Sequence, residues 1–166
     1  MGVVSSWQVA VAAEAAVAMV FARAGWNVSV QYGANQPEYD LMVENGSTTL
    51  KVSVKGSQDG SWGLTQKHLK NADYHGAIDT WLAGHTLRTI YAFAQFKGAG
   101  LAEAPRIYLA KPSEVAAQLK KTANGRGDTI LYEKKEWTKR AKAAGTIDAI
   151  PLGWLFSQER LVDVSN

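Results

Sequence analysis

The chain has 166 residues, 46% hydrophobic and 20% charged, with a formal net charge of +3 and no cysteine. That length supports one domain, 1–166, with a proper core. The missing thiols exclude disulfides, Cys-based zinc sites and a thiol nucleophile, and suit a cytoplasmic setting; the small positive charge permits a nucleic-acid surface without demanding one.

In chain order, Ser5 followed by Gln8 reads as a capping box. It opens an alanine-rich helix that runs through Val9 to about Ala24, where Gly25 stops it. The apolar run Val9 to Phe21 lacks a basic start, is interrupted by Glu14 and is too short to span a membrane, so no signal peptide and no membrane partner are expected. Trp26 to Tyr32 alternates as a first strand. Two further strands make a hairpin with Asn45-Gly46 as its turn. Gly56 to Gly63 is a polar loop, and Leu64 to Leu82 a helix weakened by Gly76. Arg88 to Phe96 is the strongest strand, followed by a loop and a short strand, Arg106 to Ala110. Pro112-Ser113-Glu114 opens a helix to about Lys121, with Ser113 as a cap and Glu114 complementing the dipole. Asn124 to Gly127 is a turn and Thr129 to Tyr132 a short strand. Glu133 to Ala144 is a charged helix or loop, and a terminal helix or turn is expected around Trp154 to Leu161. The order reads as α/β, a central mixed β-sheet flanked by helices.

The segment from Pro37 to Gly56 carries the chemistry. Side chains alternate along a strand, so Val52 and Val54 point one way and Lys51, Ser53 and Lys55 the other. Asp40 shares a face with Glu38 and Met42. A carboxylate and a lysine on one face of a small apolar sheet are costly unless they serve a purpose; together they can hold a divalent cation and a phosphate. An acid opening one strand, with Ser53-Val54-Lys55 in the middle of the next, resembles the PD-(D/E)XK nuclease superfamily. Asp40 matches the first acid and Lys55 the lysine, while Ser53 stands where the second acid belongs.

The resemblance implies a restriction-endonuclease-like fold with an αβββαβ core and a metal-dependent nuclease acting on nucleic acid, with DNA the expected substrate. It implies that Asp40 binds Mg2+, with Mn2+ able to replace it, and that the backbone carbonyl of Val54 is a further ligand. Such an ion polarises the phosphodiester and lowers the pKa of a bound water. Lys55 then orients that water or offsets the developing charge. Many relatives work as homodimers. In many members a first-helix Glu points toward the metals; Glu14, with no basic residue within a turn, either takes that place or faces solvent. Ser53 brings no charge, which leaves three outcomes. A neighbouring carboxylate takes over, binding contracts to a single Asp40-centred site, or cleavage is lost and binding kept. Counting outward from an Asn45-Gly46 turn sets Glu38 opposite Ser53 and makes it the substitute ligand.

Beyond the motif, Ser57 and Gln58 could contact phosphates and Trp62 stack on a base. The alternative is an ordinary turn with Trp62 folded into the core. Gln66, Lys67, His68 and Lys70 begin the next helix and line a backbone-binding groove or a solvated face. His68 and His75 share a helix face without a zinc spacing. Lys134, Lys135, Lys139, Arg140 and Lys142 form a basic cluster interleaved with Glu133 and Glu136, more economical as a salt-bridged surface than as a duplex contact. The alternative to a nuclease is a binding module on the same fold that does not cut.

Overall fold

Ser5 and Gln8 close the capping box in both directions: Gln8 N–H donates to Ser5 Oγ (3.2 Å) and Ser5 N–H to Gln8 Oε1 (2.9 Å). The computed structural model describes residues 3–31, 38–138 and 143–166; Tyr32, Pro37, Lys139, Arg140 and Lys142 lie outside them. Helix α1 (Ser6–Arg23) ends in a Schellman arrangement. Gly25, at φ 89°, donates its N–H to Ala22 O (3.0 Å), and Trp26 donates to Phe21 O (3.1 Å). The Trp26 ring then packs edge-on against Phe21 at 5.9 Å. The later elements are β1 (Asn27–Val30), β2 (Leu41–Asn45), β3 (Thr48–Ser57), β4 (Ser61–Gly63), α2 (Tyr74–Ala83), β5 (Thr89–Gln95) and β6 (Arg106–Ala110). They are followed by α3 (Pro112–Lys121), β7 (Ile130–Tyr132), β8 (Lys134–Glu136), β9 (Ile147–Ala149) and α4 (Gln158–Ser165).

The residues gather into two compact units: Met1–Asp59 with Leu87–Lys111 and Gly153–Asn166, and Gly60–Thr86 with Pro112–Leu152. The first is built on a five-stranded mixed sheet of order β1-β2-β3-β5-β6. Only β3 and β5 run parallel. β5 is buried at all seven positions, which is why its sequence is a continuous apolar run rather than an alternating one. One face of the sheet, including Leu41, Val43, Val52, Val54, Ala92 and Leu109, forms a single core with α1 and α4. α1 contributes Val9, Ala13, Val17 and Phe21, one per turn. α4 is fastened by Arg160, which is buried and donates from Nε and Nη2 to the Leu109 carbonyl (3.0 and 2.9 Å).

Gly56 fixes how closely α1 approaches β3. A Cβ at that position would lie 2.8 Å from Ala13 Cβ and 2.9 Å from Val9 O. The small Ala13 and the absent side chain at Gly56 let helix and strand backbones meet, so this glycine serves packing.

In the second unit, β4 pairs with β7 and β8 with β9 as antiparallel two-stranded ribbons. The expected long helix over 64–82 is replaced by a short 3-10 turn, Gln66–His68, and by α2. Asn71 and Ala72 take positive φ (50° and 58°), and Asp73 caps the new start by accepting the Gly76 N–H at 2.9 Å. His68 and His75 therefore share no helix. α3 begins at Pro112, the first helical position that suits proline, and Ser113 lies inside its first turn instead of capping it. The charged segment after Tyr132 enters β8 rather than a helix.

Candidate active site

The β2–β3 hairpin places Asp40. Gly46, at φ 59°, is the first of two central turn residues and Ser47 the second, so Asn45 pairs with Thr48 and Leu41 with Val52. The turn sits one residue later than an Asn45-Gly46 loop would put it, and the register moves by two. Ser53 falls in line with Asp40, the position before Leu41, rather than with Glu38. Glu38 is exposed and loses the argument that made it a substitute ligand.

Asp40 is half-buried just before β2 and is tied to β3 at two points. Its N–H donates to Val52 O (2.9 Å), and its Oδ2 accepts the Val54 N–H (2.7 Å). The carboxylate thus replaces a backbone acceptor at the end of the ladder, one peptide away from Lys55. A charged acceptor makes this a stronger bond than a neutral one. Lys55 is exposed, and alternation along β3 puts it on the side away from α1, together with Lys51 and Ser53. Ser53 is 4% exposed.

Glu14 comes from the half-buried flank of α1, next to Ala13. Its pKa is raised above 4.5, first by burial and second by the nearby charge of Asp40. Helix and strand therefore set the two carboxylates near enough for their charges to interact. The folded protein holds the Glu14 proton more tightly than the unfolded chain. Its contribution to stability is full below the ordinary Glu range and is lost as pH rises through the raised value. Glu14→Gln is expected to raise the melting temperature at pH 8 by about 1–2 °C and to leave it unchanged near pH 3.5. Thermal unfolding followed at both pH values checks this; an equal or lower melting temperature at pH 8 contradicts it.

Among the described residues, no group of three or more His, Cys, Asp or Glu side chains is placed to hold a metal ion. Two carboxylates that repel one another remain. Mg2+ commonly takes one or two carboxylates and fills its shell with water and substrate phosphate. Two carboxylates, Asp40 and Glu14, are the number such an open site uses and do not make an all-protein cage.

The other candidates are placed differently. Ser57 is buried, donates to Asp59 Oδ1 (3.0 Å) and accepts from the fully buried Gln95 Nε2 (3.0 Å), so its hydroxyl braces β3 against β5 instead of facing a phosphate. Gln58 is exposed and donates to Val4 O at 3.3 Å. Trp62 is only 3% exposed, paired with Leu131 across β4 and β7, and offers no open face to a base. Gln66, Lys67 and Lys70 are exposed on the second unit, with the Gln66 amide lying across Gly63. Of the basic cluster, Lys134 pairs with Glu136 (3.7 Å) and Lys135 lies over Tyr132 and Trp137. No helix among the described residues is long and apolar enough to cross a membrane.

No protein-family model matches the chain, and no curated protein is significantly similar to it in sequence. Solved structures are similar to it. A bacterial homing endonuclease, I-Ssp6803I, aligns with a TM-score of 0.53 at 15% identity, covering 99% of this chain and 95% of that one. Hjc, a Holliday junction resolvase from the archaeal hyperthermophile Archaeoglobus fulgidus, aligns with a TM-score of 0.41 at 17% identity, over 73% of this chain and 86% of that one. At such identities the likeness concerns the path of the backbone, and the first alignment carries it.

Proposed function

We propose, from the premise of a restriction-endonuclease-like fold, that the chain is a nuclease that hydrolyses phosphodiester bonds, with DNA as its substrate. The observation that carries this reading is the approach of the Glu14 and Asp40 charges, with Asp40 pinned to the Val54 N–H at 2.7 Å, one residue before Lys55. A fold alone does not specify chemistry; this constellation on it is what supports the reading.

Asp40, Glu14 and the Val54 carbonyl are the oxygens that would hold Mg2+, or Mn2+ in its place. Such an ion, when bound, supplies positive charge to the phosphodiester and acidifies water. Asp40 is oriented by its bond to β3, so its carboxylate keeps one direction without reorganising. Glu14, whose pKa is raised by burial and by Asp40, holds a proton more tightly than an ordinary glutamate. Lys55 presents an ammonium to the non-bridging phosphate oxygens and offsets the negative charge that grows as the bond breaks.

Incubation of the purified chain with supercoiled, linear and branched DNA and with RNA, in Mg2+ or Mn2+, tests the reading. Cutting of DNA is expected, and no cutting of any substrate overturns it. Lys55→Ala, on an exposed strand position, is expected to keep the melting temperature within about a degree and to lower the cleavage rate at least about 100-fold.

A second reading is favoured by Ser53, which gives no anionic donor where the motif has one. On it the chain binds nucleic acid on the same fold and does not cut. Calorimetric titration with Mn2+ separates the two: heat lost in Asp40→Asn supports the nuclease, and no uptake by the wild type supports the binding module.

A further inference from the structure

A hollow of about 270 Å3 opens at the start of β3, lined by Ser47, Thr49, Lys51 and Arg88. Thr49 and Lys51 alternate along β3, so they share the side of the sheet that carries Ser53 and Lys55, and Ser47 adds a hydroxyl from the turn just before the strand. Arg88 directly precedes β5, and its carbonyl accepts the Lys51 N–H at 2.9 Å, which sets the two cationic residues side by side. The Lys51 ammonium lies over the Tyr39 ring at 5.2 Å, and Tyr39 is the chain neighbour of Asp40. No carboxylate lines the hollow. Glu44, the register partner of Thr49, forms no ion pair with Lys51 or Arg88 among the described residues. Two cations that form no ion pair among the described residues, together with two hydroxyls, are the donor set of a phosphate site.

We propose that the Ser47–Thr49–Lys51–Arg88 hollow holds a backbone phosphate of the nucleic-acid strand whose scissile bond lies at Asp40 and Lys55. The inference rests on the functional reading above and adds a subsite to it. Lys51 is about 7 Å from Ser53 and about 13 Å from Lys55 along the strand, a reach of a few nucleotides. The hydroxyls and the guanidinium fork fix the strand by its backbone and not by its bases, so the hollow positions any sequence equally.

Binding of a fluorescent DNA duplex to the full-length chain, measured by anisotropy in EDTA over a series of salt concentrations, tests the proposal without cleavage. For the double variant Lys51→Gln/Arg88→Gln, the slope of log affinity against log salt is expected to fall by about one for each cation removed. Lys51→Arg/Arg88→Lys, which keeps both charges, is expected to retain the wild-type slope, and Arg23→Gln at the end of α1 to leave it unchanged. A wild type that binds while the double variant keeps the same slope overturns the subsite and leaves the nuclease reading standing. A wild type that binds no DNA overturns both. Inorganic phosphate alone, titrated against the wild type and followed by NMR of the Arg88 side chain, gives the remaining arm. Binding of it together with an unchanged DNA slope in the double variant makes the hollow a free-phosphate site and overturns the proposal.

Discussion

Asp40→Asn is expected to fold as the wild type does and to lose DNA cleavage by at least about 100-fold, the scale of removing a group aimed at charge that develops in the transition state. The asparagine keeps a carbonyl oxygen where Asp40 Oδ2 accepts the Val54 N–H. The end of the β2–β3 ladder therefore stays satisfied while the negative charge disappears. Asp40→Ala removes the acceptor as well and leaves that N–H without its partner, a cost of about 1–3 kcal/mol. Cleavage rates and thermal melts of the two variants separate chemistry from architecture. Both are inactive, but only the alanine variant melts early. A second consequence follows from Glu14, whose pKa is raised in part by Asp40. In Asp40→Asn the neighbouring charge is gone, so the Glu14 pKa moves back toward its ordinary value, with burial still holding it up. Carboxyl NMR titration of Glu14 reads this directly. An Asp40→Asn protein that cuts at the wild-type rate ends the case for Asp40 as a catalytic group.

Gly56→Val is expected to be the most destabilising single substitution near the site. Any Cβ at this position meets Ala13 Cβ at 2.8 Å and Val9 O at 2.9 Å. The oxygen belongs to the helix backbone and cannot rotate aside, so α1 must move as a body. Overpacking of this kind costs about 1–3 kcal/mol and at times more, and a branched side chain stands at the upper end. For a chain of this size about 3 kcal/mol lowers the melting temperature by roughly 6–12 °C. Glu14 follows Ala13 on the same helix, so the shift also carries its carboxyl away from Asp40, and cleavage falls with stability. Ala13→Gly in a Gly56→Ala background removes one of the two obstructions and should recover part, but not all, of the loss. An unchanged melting temperature for Gly56→Val shows that α1 does not pack as described.

The sequence made the candidate stretch legible because alternation along a strand is a local property. Val52 and Val54 turned to the core, and Lys51 and Lys55 away from it, as the pattern required. The α1 capping box, the stop at Gly25, the buried run of β5 and the short β6 were legible for the same reason: each is written within a few residues. The hairpin register was not. Asn45-Gly46 favours a turn centred on that pair, but the chain uses Gly46 alone at the first central position, and a shift of one residue in the turn moved every cross-strand partner by two. That change exchanged Glu38 for Asp40 beside Ser53. Gly56 shows a related limit. Its type was conspicuous in the sequence, but whether a ligand or a helix comes close there depends on Ala13 and Val9, more than forty positions away.

By itself the sequence determined the residue types of the candidate site, the serine at position 53, the absence of thiols and most of the elements of the first unit. Tertiary structure alone decided which of those residues meet. It brought Glu14 to Asp40, enclosed Trp62 and Ser57, and set Arg88 beside Lys51 by a strand pairing across thirty-seven positions. The physical reason is one of range. Propensity, capping and alternation act over one or two turns of chain, while charge coupling, burial and the close approach of backbones depend on which distant segments the packing brings together.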